Sequence, residues 1–445
     1  MSNSVGSKFS VKTSTAVIVA NMIGTGVFTS LGFQLLDINS GFLILLLWAL
    51  GGLSAVCGAM CYAELGSALP RSGGEYNFLS RLLHPAAGFV SGWISLSIGF
   101  AAPVALSAIT FASYLLPSLG IKYDLAISLV AAGLIVGMTV IHARSRTGSA
   151  LTQQAFTAIK ILLIVAFCIA ALAFSPELQS VRFMPAKDDI TTLGSTAFAV
   201  SLIYVSYAYT GWNAATYLSG EMENPQRNLP ITLIAGTAIV TLLYIALNYV
   251  FLKVAPMAQM QGQIEIAYIA AVAAFGERGG QLTGVILALL LVSTVSAMTI
   301  AGPRVLQVIG QDFRAFTLFA RENASGVPNI AVYFQGAMAV LFVVTSSFES
   351  ILVFAGMTLA LNSFITVATV FVLRRKQFVQ TASYTMPLFP IPAVIYLTLT
   401  GWTIIFAAMS RPQEAAFSAA LIVAGLLVYR FSAGLEVNSN GPRAD

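Results

Sequence analysis

The sequence predicts an all-α polytopic membrane protein, and three observations carry that expectation. Of its 445 residues, 58% are hydrophobic and only 9% are charged. Mean hydropathy is +0.86. The apolar residues gather into long runs rather than scattering. A soluble domain is usually about 45–50% apolar and about 25% charged. So little charge cannot keep a folded surface of this size in water, which excludes a soluble enzyme. The abundance of apolar surface to bury excludes disorder. The runs are too long and too numerous for the alternating strands of an outer-membrane barrel.

A hydrocarbon core about 30 Å thick needs roughly 20 apolar residues per helix. Reading for such runs between breaks gives twelve spans, framed by tails at 1–12 and 433–445. The first, 13–36, contains Asn21-Met22-Ile23-Gly24-Thr25-Gly26-Val27-Phe28, with two glycines flanking a threonine in mid-helix. The second, 41–68, carries Cys57 and Cys61 one turn apart, a spacing that does not favour a disulfide. The third and fourth lie at 85–117 and 123–142. The fifth, 150–174, holds Cys168 and, about ten residues in, Lys160. The sixth, 192–220, has a glycine among aromatic and hydroxyl residues: Tyr204-Val205-Ser206-Tyr207-Ala208-Tyr209-Thr210-Gly211-Trp212-Asn213. The seventh and eighth lie at 230–255 and 280–303, the eighth offering Ser293-Thr294-Val295-Ser296. The last four lie at 328–346, 350–373, 387–409 and 413–432. The longest gaps, 175–191 and 304–327, are too short to fold alone.

Lys and Arg are biased to one side of this topology. With the N-terminus placed in the cytoplasm, 15 basic residues fall inside, 6 fall outside, and Lys160 remains in the membrane. Both termini are then expected in the cytoplasm, in a multi-pass plasma (inner) membrane protein. The net charge of +5 reports topology and calls for no nucleic-acid partner. The polar lead-in has no small-residue cleavage site, so no removable signal peptide is expected. The cysteines read as small buried apolar residues. His84 and His142 sit at helix ends, and no His/Cys/Asp cluster has metal-ligand spacing, so neither a metal nor a cofactor is expected.

Spans one and six are the first members of two halves, 13–174 and 192–373, each of five spans and therefore inserted with opposite topology. Glycine-interrupted helices at matching places in two such halves point to a transporter's midplane site. Broken helices expose N–H groups that suit a carboxylate and carbonyls that suit an ammonium, and an amino acid carries both. A basic residue at the depth of Lys160 costs a few kcal/mol and is expected to face the bundle interior. It is expected to bond carbonyls near Ile23 and Gly24 and the hydroxyls of Ser293 and Ser296, in the place a coupling sodium would fill. Either a proton donor or a fixed cation satisfies that reading. The pocket between spans one, three, six, eight and ten contains no Asp or Glu by this assignment, which favours neutral side chains. A cationic amino acid or polyamine carrier would need an acid brought in from a loop. A channel would want a ring of like residues along a continuous pore, and an enzyme would want convergent His, Cys or acids.

Several segments resemble the amino acid–polyamine–organocation transporters. Gly24-Thr25-Gly26, Tyr62-Ala63-Glu64-Leu65-Gly66 and Pro70-Arg71-Ser72-Gly73-Gly74-Glu75-Tyr76 resemble that family's first two helices and the loop after them. Gly211-Trp212-Asn213, Gly220-Glu221-Met222-Glu223-Asn224-Pro225-Gln226-Arg227-Asn228-Leu229-Pro230 and the stretch from Gln153 to Lys160 resemble its L-type amino acid transporter branch. The resemblance covers most of 13–373; spans eleven and twelve carry no motif of it. It implies the LeuT-type fold, a 5+5 inverted repeat followed by two C-terminal helices, with alternating access to a central site. It implies that Ile23, Thr25 and Gly26 bind the substrate carboxylate. Tyr207, Ala208 and Thr210 would bracket the amino group and side chain, with Tyr207 as the gating aromatic, and Asn213 would be a polar neighbour. Lys160 would hold helix one near helix eight. An arginine/agmatine exchanger of the family has an acid where this chain has Asn213, again favouring neutral substrates. Gly302-Pro303-Arg304 runs into Gln307-Val308-Ile309-Gly310-Gln311-Asp312-Phe313 instead of the family's alanine-rich stretch, which makes the gate at that end the place to look for a difference. The branch's animal members pair through a cysteine with a single-span glycoprotein. The loop between spans three and four has no cysteine, so no disulfide-linked subunit is expected.

Overall fold

The computed structural model describes residues 10–71, 73–121, 124–144, 150–313, 316–376 and 384–433. Among these the regular structure is helical, without strands. The first span is two helices, α1 (Val11–Met22) and α2 (Gly26–Gln34), separated at Ile23–Thr25. Ser10 caps α1 by accepting a hydrogen bond from the Thr13 N–H. α3 (Gly41–Ala68) is unbroken and capped in the same way by Ser40. The short α4 (Glu75–Leu82) precedes a third span of α5 (Pro85–Ile94), a π-helical turn at Ser95–Gly99, and α6 (Ala101–Ser118). α7 (Asp124–Arg144) and α8 (Ala150–Phe174) follow.

The sixth span departs from a simple rod. α9 (Lys187–Leu193) meets α10 (Thr196–Ala208) at 70°, and α10 ends in an irregular stretch before a 3₁₀ helix at Ala214–Glu221. α11 (Pro225–Val254) is long, and α12 (Met257–Met260) is a single turn. α13 (Ile266–Asp312) has 47 residues, far more than one crossing needs, and Gly276 at φ 74 divides it. It then runs through Pro303 to Asp312, beyond the expected end at 303. α14 (Thr317–Ala320), α15 (Asn329–Thr345), α16 (Phe348–Arg375), α17 (Ile391–Ser410) and α18 (Pro412–Ala433) complete the chain.

Ten helices among the described residues are long and apolar enough to cross a membrane, or eleven if α9 and α10 form one bent span. The sequence expects twelve. The difference lies in α15, which is apolar but only 17 residues long.

The large side chains of α1, α3 and α11 form one core, and those of α6, α10 and α16 form a second. Two tyrosine hydroxyls at these contacts are paired across helices. Tyr114 Oη donates to the Phe28 carbonyl at 3.0 Å, and Tyr209 Oη to the Trp48 carbonyl at 3.0 Å. Outward positions are apolar instead of charged: Leu162 is 67% exposed and Leu242 is 70% exposed. Such a surface suits hydrocarbon.

Candidate functional site

Glycine lets the two broken spans cross in close contact. A Cβ on Gly26 would lie 2.4 Å from Ala208 Cα, and one on Gly211 would lie 2.9 Å from the Asn21 carbonyl carbon. Gly211 also has φ 96, a conformation L side chains rarely adopt. At the first break the Ile23 N–H still bonds Val19 O, and Gly24 N–H turns back to Met22 O at 2.7 Å. The N–H groups that open α2 have no acceptor within their own helix, as at any helix start. At the second break Thr210 Oγ1 donates to Tyr207 O at 2.6 Å. Tyr244 of α11 sets its hydroxyl against the end carbonyls of both α1 and α10, at Met22 and Ala208.

Between the breaks lies a cavity of about 580 Å³, within the usual range for small-molecule sites. Of the seven expected substrate contacts, Thr25, Gly26, Tyr207, Ala208, Thr210 and Asn213 line it. Ile23 does not. It borders a second, apolar cavity of about 380 Å³ behind the first. Ile23 has already left the helix, at φ −74 and ψ 78, and its side chain falls on the side of Lys160.

Lys160 is 6% exposed, and its Nζ donates to Ile23 O at 3.4 Å and to Thr294 Oγ1 at 2.8 Å. The carbonyl and the hydroxyl-bearing stretch Ser293-Thr294-Val295-Ser296 are the expected ones, but the hydroxyl is that of Thr294 and not of Ser293 or Ser296. Ser293 Oγ donates back to Leu290 O at 2.7 Å, and Ser296 Oγ lies 2.8 Å from His142 Nε2. Both serines line the large cavity with their hydroxyls taken by Leu290 O and His142, and neither meets Lys160 in this structure. Only Thr294, between them, faces the junction of α1 and α8.

The expectation of an acid-free pocket fails at Glu75. The sequence puts this residue in a loop after the second span, but it begins α4 and lines the cavity at 2% exposure. Gly73 and Gly74, at φ 121 and 52, turn the chain inward. A Cβ on Gly74 would sit 2.6 Å from Tyr217 Cε1, so the turn can close only over glycine. The carboxylate accepts hydrogen bonds from Tyr62 Oη at 3.0 Å, from Tyr217 Oη at 2.5 Å and from Asn213 Nδ2. Paired glycines before an acid were the available sign of an inward turn.

The two ends of the cavity differ. Its wall runs from the breaks past Tyr76 and Val308 to Thr13 and Arg304 at the end rich in basic residues. At that end Asp312 accepts from Arg71 at 3.2 Å and from Tyr76 Oη at 2.6 Å. At the far end, α2, α10 and α16 close over it. Phe33 stacks on Phe348 at 5.7 Å, Ser30 Oγ donates to Tyr204 O, and Tyr204 Oη donates to Glu349, which also pairs with Arg411. Glu64 lies outside this cavity, where Arg374 and the Met386 N–H bond it.

Two interrupted helices meeting across a mid-bundle cavity are the arrangement of the broken-helix transporter folds. The chain matches the amino acid permease family over residues 9–429 and belongs to that family. It is 29% identical over 433 residues to the large neutral amino acids transporter small subunit 2 of Homo sapiens, covering 93% of this chain and 78% of that one. It is 26% identical over 425 residues to the b(0,+)-type amino acid transporter 1 of Mus musculus, covering 93% and 85%. The protein is thus an amino acid transporter within the amino acid–polyamine–organocation group, with a multi-pass membrane fold.

Proposed function

We propose that this transporter moves neutral L-amino acids by alternating access, as an exchanger or a proton-coupled symporter. It would do so in a plasma membrane, with both termini in the cytoplasm. The crossing of the two broken spans carries the reading. It brings the N–H groups of α2 and the end carbonyls of α1 and α10 to one cavity, and that pairing suits the carboxylate and ammonium of a zwitterion. Thr25 and Gly26 would take the carboxylate, and Tyr207, Ala208, Thr210 and Asn213 would surround the rest. The name of the large neutral amino acids relative and the apolar wall at Pro103, Met138 and Leu359 support neutral side chains.

The inverted halves would be 13–174 and 192–373, with 387–432 outside the repeat. The closures at Tyr204–Glu349–Arg411 and at Arg71–Asp312–Tyr76 would open in turn. Lys160 would join α8 to the broken α1 through its cycle, as coupling proton donor or fixed cation. No disulfide-linked subunit is proposed, since the free cysteines among the described residues, Cys57, Cys61 and Cys168, lie within α3 and α8.

Counterflow into proteoliposomes tests this, using the twenty amino acids at two pH values with and without sodium. A carrier takes up label faster when the lumen is preloaded with its substrate. Equal rates with an empty lumen would indicate a pore. Saturable arginine uptake without competition from neutral amino acids would sink the neutral assignment.

A further inference from the structure

Among the described residues that line the large cavity, Glu75 is the only Asp or Glu. Its three hydrogen-bond donors, the hydroxyls of Tyr62 and Tyr217 and the amide of Asn213, are all uncharged. None of the ion pairs among the described residues includes it. A carboxylate offers about four acceptor positions, so three neutral donors leave room for one more. A buried anion without a cation is costly, and that cost falls when a positive charge reaches it. The cavity is the open approach. The same lining includes Pro103, Met138 and Leu359, apolar surface against which a methylene stem can lie.

We propose that Glu75 is a specificity-determining residue, receiving the ammonium or guanidinium at the end of a basic amino acid side chain. The chain would then carry arginine and lysine alongside neutral substrates. This rests on the transport reading above and adds a second substrate class to it. The acid reaches the cavity from α4, while the sixth span lines it with uncharged groups, Tyr207, Thr210, Asn213 and Tyr217. A charged hydrogen bond is worth about 1.5–3 kcal/mol, or about tenfold to a hundredfold in affinity.

The test uses the full-length protein in proteoliposomes, comparing arginine with citrulline, its uncharged near-isostere, and with leucine. Wild type is expected to favour arginine over citrulline, and Glu75→Gln is expected to lower that ratio at least about tenfold. Glu75→Asp, which keeps the charge, should restore part of the ratio. Monodisperse elution in detergent and an unchanged thermal midpoint establish that each variant is folded. Leucine counterflow without arginine counterflow would overturn the assignment while leaving the carrier intact. So would an equal loss of arginine and citrulline in Glu75→Gln, which would mark a purely structural cage. If Glu75→Gln instead abolishes proton-driven leucine uptake with the arginine ratio unchanged, the charge that meets Glu75 is a proton, and the proposal is wrong. Absence of counterflow for every amino acid would defeat the transport reading itself.

Discussion

Individual residues decide how the two broken spans are held, and Lys160 is the sharpest case. Its ammonium ties the Ile23 carbonyl on α1 to the Thr294 hydroxyl on α13. Lys160→Ala leaves both groups buried with that donor gone, at about 1–3 kcal/mol each, and removes the tether between the helices. Uptake should fall at least about tenfold while the protein still elutes as a folded species. Normal uptake with an unchanged pH profile would refute a role in coupling. Thr294→Val should reproduce much of that loss, whereas Ser293→Ala should not, because Ser293 bonds only its own helix. This distinction was hidden in the sequence. Three hydroxyls in four residues point to different sides of one helix, and which side meets α8 depends on packing, not on spacing. Gly26→Ala makes a complementary case. The added methyl meets the Ala208 backbone at 2.4 Å, so the crossing must spread, at about 1–3 kcal/mol. Gly133→Ala on α7 meets nothing within 4 Å and should not lower the thermal midpoint, since alanine is favoured over glycine in a helix interior by about 1 kcal/mol.

At the level of elements, the two closures tie helices that must separate for a substrate to pass. At the far end, Arg411, between α17 and α18, pairs with Glu349 of α16, which accepts from Tyr204 of α10. The last two helices, which carry no recognisable motif, are thereby tied to the span that contains the second break. At the other end, Asp312 on the extended α13 holds Arg71 and Tyr76. In a background with Cys57, Cys61 and Cys168 replaced by alanine, Thr25→Cys reports access to the cavity wall. Arg71→Ala, which removes one partner of Asp312, should raise that cysteine's labelling by impermeant thiol reagent from the basic end. Adding Arg411→Ala should raise labelling from the far side several-fold, because Glu349 and Tyr204 lose the charge that holds them. If far-side labelling does not change, Phe33 and Phe348 alone keep that end shut. Glycine made the breaks visible in the sequence, since a residue without a side chain in mid-span marks either close packing or an interruption. The inward fold of α4 left only the two glycines before its acid as a sign. An acid after two glycines in a loop reads as solvent-exposed until Tyr62, Asn213 and Tyr217 are brought around it.

Across the whole molecule, hydropathy fixed the class because hydrocarbon tolerates so few sequences. Helices must satisfy their own backbone, and their outer faces must be apolar. The count of spans was harder to read, because α15 is short, α9 and α10 bend by 70°, and α13 is longer than one crossing. The positions of the ends test whether the count is even or odd. If α10 with its 3₁₀ extension crosses once and α15 also crosses, the ten clear spans become twelve. An even number returns the chain to the side on which it began. An α15 of 17 residues rises about 25 Å, slightly less than the hydrocarbon thickness, a mismatch that local thinning accommodates at modest cost. The 15-to-6 division of basic residues then puts that shared side in the cytoplasm. Epitope tags at the two termini should therefore both resist protease on intact cells and both become accessible on permeabilisation. If one tag were cut on intact cells, an odd number of crossings would follow, with α15 the first helix to reassign. The inverted halves proposed here would then have to be redrawn.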